Sequence, residues 1–207
     1  MDLRRPLRVI TPTLDGDVLV VLAGAEAEFT GRQVHELAAT GSHVGVKKAL
    51  DRLVEQGVVL RRPAGRAHLY RLNREHLAAP AIEQLVLARS ALVGRLRDAI
   101  ASWPQLPATA VLFGSIARGS ASTDSDLDVL IVRPAEVDPE SDVWVDQLAE
   151  LTRRASAWTG NEARLLEYGE DEIADMQEPE PVLVEAARDG IELFGSVRAL
   201  RRAIARR

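Results

Sequence analysis

The chain has 207 residues, no cysteine, 4% aromatic and 28% charged residues, and a net charge of −5. That is enough for one large domain or two small ones with real cores, and it excludes a disordered chain, a coiled coil, a disulfide scaffold and any thiolate metal site. The longest apolar stretch, Val18 to Ala23, is far short of the roughly 18 residues of a membrane helix, and MDLRRPLRV lacks an apolar signal core, so no membrane contact and a cytoplasmic location are expected.

Charge divides the chain near Pro80. Residues 1–80 hold 12 Lys+Arg against 9 Asp+Glu and all four histidines, whereas the remainder holds 14 against 22. Between Gly41 and Arg74 eight basic residues face only Asp51 and Glu55. Such a cluster suits phosphate, with a solvated helix face and hairpin as the plain alternative.

In chain order, Val18, Leu19, Val21 and Leu22 predict a first helix from Asp15 that stops before Gly24. Thr30 is an N-cap for a second helix through Val34 and Leu37 to Ala39. After the turn 40–42, Ser42 caps a third helix with Val46, Ala49, Leu50, Leu53 and Val54 on its apolar face. His43, Lys47, Lys48 and Arg52 fall elsewhere on its surface, and Gly57 ends it. Val58–Leu60 and His68–Leu72 read as strands joined by Arg61 to Arg66, with Tyr70 packing the hairpin. His35 and His76 have no metal-ligand spacing and read as ordinary surface residues.

Helix, helix, turn, helix and basic hairpin is the order of a winged helix. From GRQVHELAATGSHVGVKKALDRLVEQGVV to RRPAGRAHLYRL, about a third of the chain resembles bacterial winged helix-turn-helix regulators of the MarR/ArsR type. The resemblance implies a third helix in the major groove of double-stranded DNA, with Ser42, His43, Lys47 and Lys48 near bases or phosphates. Arg61, Arg62 and Arg66 of the wing would then lie beside the backbone. A protein–protein module is the alternative use of the same unit.

Residues 73–80 form a connector whose Pro80 can open a helix. Ile82, Leu85, Val86, Leu92, Val93, Leu96 and Ile100 then predict one long linker helix to about Ser102. Its stripe either covers the second domain or pairs with its copy in a homodimer.

The richest stretch is TAVLFGSIARGSASTDSDLDVLIVR, residues 109–133. Ala110–Phe113 and Asp126–Val132 predict neighbouring strands of one sheet, and alternation puts Asp126 and Asp128 on one face with Leu127 on the other. Two adjacent carboxylates repel at pH 7 unless a divalent cation or a proton joins them, and oxygen-only ligands suit magnesium. The Gly114-Ser115 turn before a short helix offers amides to an anion, and Arg118, one helical turn on, reaches the same place. Asp124 and Ser125 are read as shaping the loop.

FGSIARG, with ten residues between Ser115 and Asp126-Leu127-Asp128, resembles the DNA polymerase beta-like nucleotidyltransferase superfamily, most closely its minimal members. The resemblance implies a nucleoside triphosphate, ATP among the candidates, held by Gly114, Ser115 and Arg118. It also implies two Mg2+ ions on Asp126 and Asp128, and attack on the α-phosphate with release of pyrophosphate. The family's third carboxylate, on a later strand, aligns closest to Arg164. Glu162, which shares its strand parity, is the preferred substitute, with Glu167 second.

A helix from about Ser141 to Trp158, with Trp144 and Trp158 packing, precedes a strand at 161–168. Glu170–Glu180 is acidic, Val182–Leu193 predicts a helix, and VRALRRAIARR predicts a basic amphipathic helix with a solvated end. The whole is thus expected to be α+β: a winged helix-turn-helix at 1–78, a linker helix at 79–103 and a nucleotidyltransferase α/β domain at 104–207. The expected activity is transfer of a nucleoside monophosphate to a protein, RNA or small acceptor. The alternatives are a transcription regulator that senses nucleotide through a degenerate transferase, and an antitoxin-like enzyme that modifies a partner toxin.

Overall fold

The computed structural model describes residues 1–205. The chain divides into two compact units, Arg4–Ala88 with Asp2, and Arg89 onward with Met1 and Leu3. The division falls inside the segment 79–103.

In the first unit a 3-10 turn, Pro6–Val9, precedes α1 (Leu14–Ala23), β1 (Phe29–Thr30), α2 (Gly31–Ala38), α3 (His43–Glu55), β2 (Val59–Ala64), β3 (Ala67–Leu72) and α4 (Ala79–Val86). Helix starts follow their caps. The Thr30 hydroxyl accepts from the Gln33 amide while the Gln33 side chain accepts from the Thr30 amide, and Ser42 Oγ accepts from the Gly45 amide at 3.1 Å. Val46, Ala49, Leu50 and Leu53 of α3 bury against a core that includes Val18, Leu22, Val34, Tyr70 and Leu72. Leu37, expected on the apolar face of α2, is instead 59% exposed.

The three strands form an antiparallel sheet in the order β1-β3-β2. The two-residue β1 was not expected, and the hairpin is longer than its apolar pattern suggested. Ala64 pairs with Ala67, so the loop shrinks to Gly65-Arg66, with Gly65 at φ +61°, a conformation that tight hairpins require. Arg61 and Arg62 therefore sit on β2 rather than in a loop. Pro63, also on β2, is tolerated because β2 is an edge strand.

The expected single linker helix is two: α4 and α5 (Ala88–Ala101), broken at Leu87 (φ −84°, ψ 6°). The stripe is shared between two cores. Ala79 and Ile82 of α4 bury in the first unit, and Leu92, Val93, Leu96 and Ile100 of α5 are buried in the second.

The second unit continues with β4 (Thr109–Phe113), α6 (Gly114–Ala117), β5 (Leu127–Arg133), α7 (Asp142–Thr159), β6 (Ala163–Gly169), α8 (Glu170–Asp175), α9 (Pro181–Asp189), β7 (Ile191–Phe194) and α10 (Val197–Ala205). Its sheet has the order β6-β5-β4-β7, with β4 antiparallel to both neighbours and β5 parallel to β6. Every residue of β4 and all of β5 except Asp128 are buried, as for strands covered on both faces.

One expectation fails here. The helix predicted to run to Leu193 stops at Asp189, and Ile191–Phe194 joins the sheet beside β4. At Gly190 the backbone turns extended, in a space where a Cβ would lie 2.2 Å from Val111 Cγ1 and 2.3 Å from the Ala186 carbonyl oxygen. The C-terminal helix is amphipathic, with Val197 and Leu200 buried in the core around Val111, Leu130 and Leu183 and Arg198, Arg201 and Arg202 exposed. Arg206 and Arg207 of that basic tail lie outside the described residues.

Trp144 is fully buried. The half-buried Trp158 ring is covered by the guanidinium groups of Arg95 and Arg154, at 5.9 and 5.1 Å. Packing therefore accounts for both tryptophans.

Candidate functional site

The site of the second unit is built where β4 ends and β5 begins. At Gly114 the chain leaves β4 with φ +71° and starts α6. Phe113 pairs with Asp128 across the antiparallel ladder, which brings that carboxylate against the turn. A Cβ on Gly114 would come 2.5 Å from Asp128 Oδ2, so only glycine leaves this space open. Ser115 is half-buried beside it, and its carbonyl accepts from the Ser120 amide at 2.9 Å. From α5, Arg89 donates to the carbonyls of Ile116 (2.9 Å) and Ala117, securing the other end of α6.

The alternation expected at the start of β5 is present: Leu127 is fully buried, while Asp126 and Asp128 are half-buried. Asp126 stands just before β5 rather than in it. The loop leading to the pair is held by Asn161, 4% exposed, whose amide nitrogen donates to the carbonyls of Thr123 (3.2 Å) and Ser125 (2.7 Å). Burial pushes the Asp128 carboxyl above its ordinary value and the charge of Asp126 adds to this, while Arg164 and Arg118 pull the other way.

Arg118, expected on phosphate, is ion-paired with Glu185 of α9. The sequence pattern missed Glu185, which lies beyond the motif on an element with no recognisable spacing to it. Arg89 was missed for the same reason.

Arg164, the position aligned with the family's third carboxylate, lies on β6 beside the pair. Asp128 is in parallel register with Arg164 on β6. Arg164 Nη1 lies 2.7 Å from Asp126 Oδ2, and Nη2 lies 3.7 Å from Glu162 Oε2. Glu162, whose side chain is 71% exposed, precedes β6 and stays within reach of the pair through Arg164. Glu167 is spoken for elsewhere: its Oε1 accepts from buried Arg133 Nε and from Trp144 Nε1, both at 2.9 Å. Glu172 adds a second carboxylate to Arg133.

Among the described residues no group of three or more His, Cys, Asp or Glu side chains is arranged to hold a metal. The donor set at the turn is two carboxylates. Mg2+ is commonly held by one or two carboxylates plus substrate phosphates, so these residues fit one such ion, and the expectation of two ions on the pair lacks a third acid.

In the first unit Ser42, His43, Lys47 and Lys48 are exposed at the start of α3. Ser42 Oγ is engaged as a cap, and the His43 ring meets His35 edge-on at 5.8 Å. Arg61 pairs with Asp51 at 3.4 Å and Arg62 with Glu28. Lys47, Lys48 and Arg66 have no ion-pair partner among the described residues.

Residues 93–185 match the family described as Nucleotidyltransferase domain, a stretch that includes the Gly114-Ser115 turn, both aspartates and Arg164. No curated protein matches the chain. Two solved structures are similar. One is a toxin-antitoxin with AMP-PNP, at 17% identity and TM-score 0.38, covering 57% of this chain and 82% of that one. The other is a mutant of the toxin-antitoxin MntA-HpeT, at 15% identity and TM-score 0.37, with the same coverages.

Proposed function

We propose that the second unit binds a nucleoside triphosphate with one Mg2+ at the turn and transfers its nucleoside monophosphate to an acceptor hydroxyl. The observation that carries this is the close approach of Asp128 to Gly114, which joins an open amide turn to a carboxylate pair within the segment matching a nucleotidyltransferase domain. Asp126 and Asp128 would hold the ion, which when bound supplies neutralisation of the phosphate charge and a more acidic acceptor hydroxyl.

The chain's own groups do the rest. The Gly114 and Ser115 amides receive the triphosphate, and Arg118 exchanges Glu185 for a phosphate oxygen. The acceptor oxygen forms a bond to the α-phosphorus, the bond to the bridging oxygen of the β-phosphate breaks, and pyrophosphate leaves. The hydroxyl proton passes to Glu162, an exposed carboxylate beside Arg164 that is not itself a ligand in this reading. Acceptors in reach of such chemistry are a protein, a partner toxin among them, an RNA or a small molecule.

The arginine at the third acidic position favours a second reading, in which the site binds nucleotide and transfers it slowly or not at all, so that the unit serves as a sensor. For the first unit we propose a winged helix-turn-helix that binds double-stranded DNA, supported by the order α1-β1-α2-α3-β2-β3 and by the unpaired Lys47, Lys48 and Arg66. On this reading Ser42, His43, Arg61 and Arg62 are lesser contacts, since each already has a partner within the unit.

The deciding experiment is calorimetric titration of ATP, GTP, CTP and UTP with Mg2+ into wild type and Asp128→Asn, followed by incubation of wild type with the α-labelled form of the nucleotide that binds. Mg-dependent binding that weakens at least about tenfold in Asp128→Asn, or about 1.4 kcal/mol, is expected. Label transferred to an acceptor with release of pyrophosphate identifies the enzyme, and binding without transfer identifies the sensor. No binding of any of the four by wild type overturns both.

A further inference from the structure

We propose that Arg164 is the resident cation of the nucleotide site, standing where a second divalent ion would sit, so that the site takes one divalent ion per bound nucleotide. The inference rests on the nucleotide reading above and deepens it. Three features of the chain carry it. Arg164 is the in-register neighbour of Asp128, so its Cα is fixed beside the carboxylate pair by the ladder itself. Its guanidinium bridges outward from there, 2.7 Å from Asp126 and 3.7 Å from Glu162. And no third acid completes a metal cluster with the pair among the described residues.

Asp126 and Asp128 together carry two negative charges, and the fixed positive charge of Arg164 cancels one. An arginine does this permanently, because it stays protonated at any working pH and its planar fork matches carboxylate oxygens. One negative charge remains to attract one divalent ion arriving with the triphosphate. The anchor of that ion is Asp128, the carboxylate beside the Gly114 turn and without an ion-pair partner among the described residues, while Asp126 divides its oxygens between the ion and Arg164.

The test counts ions. Wild type and Arg164→Asp are saturated with the α,β-methylene analogue of the nucleotide selected in the four-way titration, and bound Mn2+ and bound nucleotide are both counted, Mn2+ by its paramagnetic resonance. One Mn2+ per nucleotide in wild type and two in Arg164→Asp are expected. Two in wild type, or one in Arg164→Asp, overturns the proposal while leaving nucleotide binding intact. Absence of nucleotide from wild type removes the underlying reading and this inference with it. A nucleotide-free arm compares Mn2+ affinity in wild type and Arg164→Gln. With a positive charge gone from beside Asp126, at least about threefold tighter Mn2+ binding is expected, and unchanged affinity overturns the proposal. Because Arg164 is half exposed, both variants keep the fold, which unchanged thermal midpoints verify.

Discussion

At Gly114 a single missing methyl group separates a working turn from a blocked one. Gly114→Ala puts a Cβ against Asp128 Oδ2 and holds alanine at φ +71°, a strain of about 1–2 kcal/mol. We expect Mg-dependent nucleotide affinity to fall at least about tenfold in calorimetry. The two glutamates near β6 separate by role. Glu167→Gln weakens the acceptor shared by buried Arg133 and Trp144 and is expected to cost about 1–3 kcal/mol of stability in denaturant melts, with nucleotide binding unchanged. Glu162→Gln, on an exposed side chain, is expected to leave the melt unchanged and slow transfer in the labelled-nucleotide assay. The pairing of Gly114, Ser115, Asp126 and Asp128 was legible because strand alternation and one ladder rung fix it. The partners of Arg118 and Arg164 were not, because Glu185 and Asp126 reach them through tertiary packing that no local spacing encodes.

The elements most readable from the pattern were those with caps. Thr30, Ser42 and Gly57 marked the limits of α2 and α3 to within a residue or two, since each satisfies or ends a helix by its own chemistry. The least readable was β7, a four-residue strand directly after α9 that the apolar run Val182–Leu193 conceals. Only Gly190 marks the change, and its necessity comes from Val111 on another strand. Gly190→Ala should therefore detach β7 from β4, costing about 1–3 kcal/mol through overpacking and lowering the thermal midpoint of the second unit by several degrees. An unshifted midpoint in calorimetry would show that α9 and Val111 yield to the added methyl. The hairpin was mis-measured for a related reason: Arg61 and Arg62 look like loop residues by composition, yet edge strands accept charged and proline residues that central strands do not.

On the scale of the whole chain, the two halves carry opposite charge balances. If the first unit binds DNA, affinity should fall steeply with salt, by a log–log slope of about 0.9 for each phosphate neutralised. Lys47→Ala/Lys48→Ala/Arg66→Ala should flatten that slope in a gel-shift series, and a slope equal to wild type would remove those residues from the contact. The charge shift near Pro80 was readable in the sequence, whereas the break at Leu87 was not, because the apolar stripe runs on through it. The strand order of the second unit also bears on how the protein comes into being. Its central strand β4 is flanked on one side by β7, so a rung of the sheet closes only across most of that unit. The first unit lies almost wholly ahead of the second in the chain, so its residues are synthesised before the β7 rung can form. Long-range closure is slow, so the sheet from which the Gly114 turn leaves is completed late, after the whole of the basic surface of the first unit has been made.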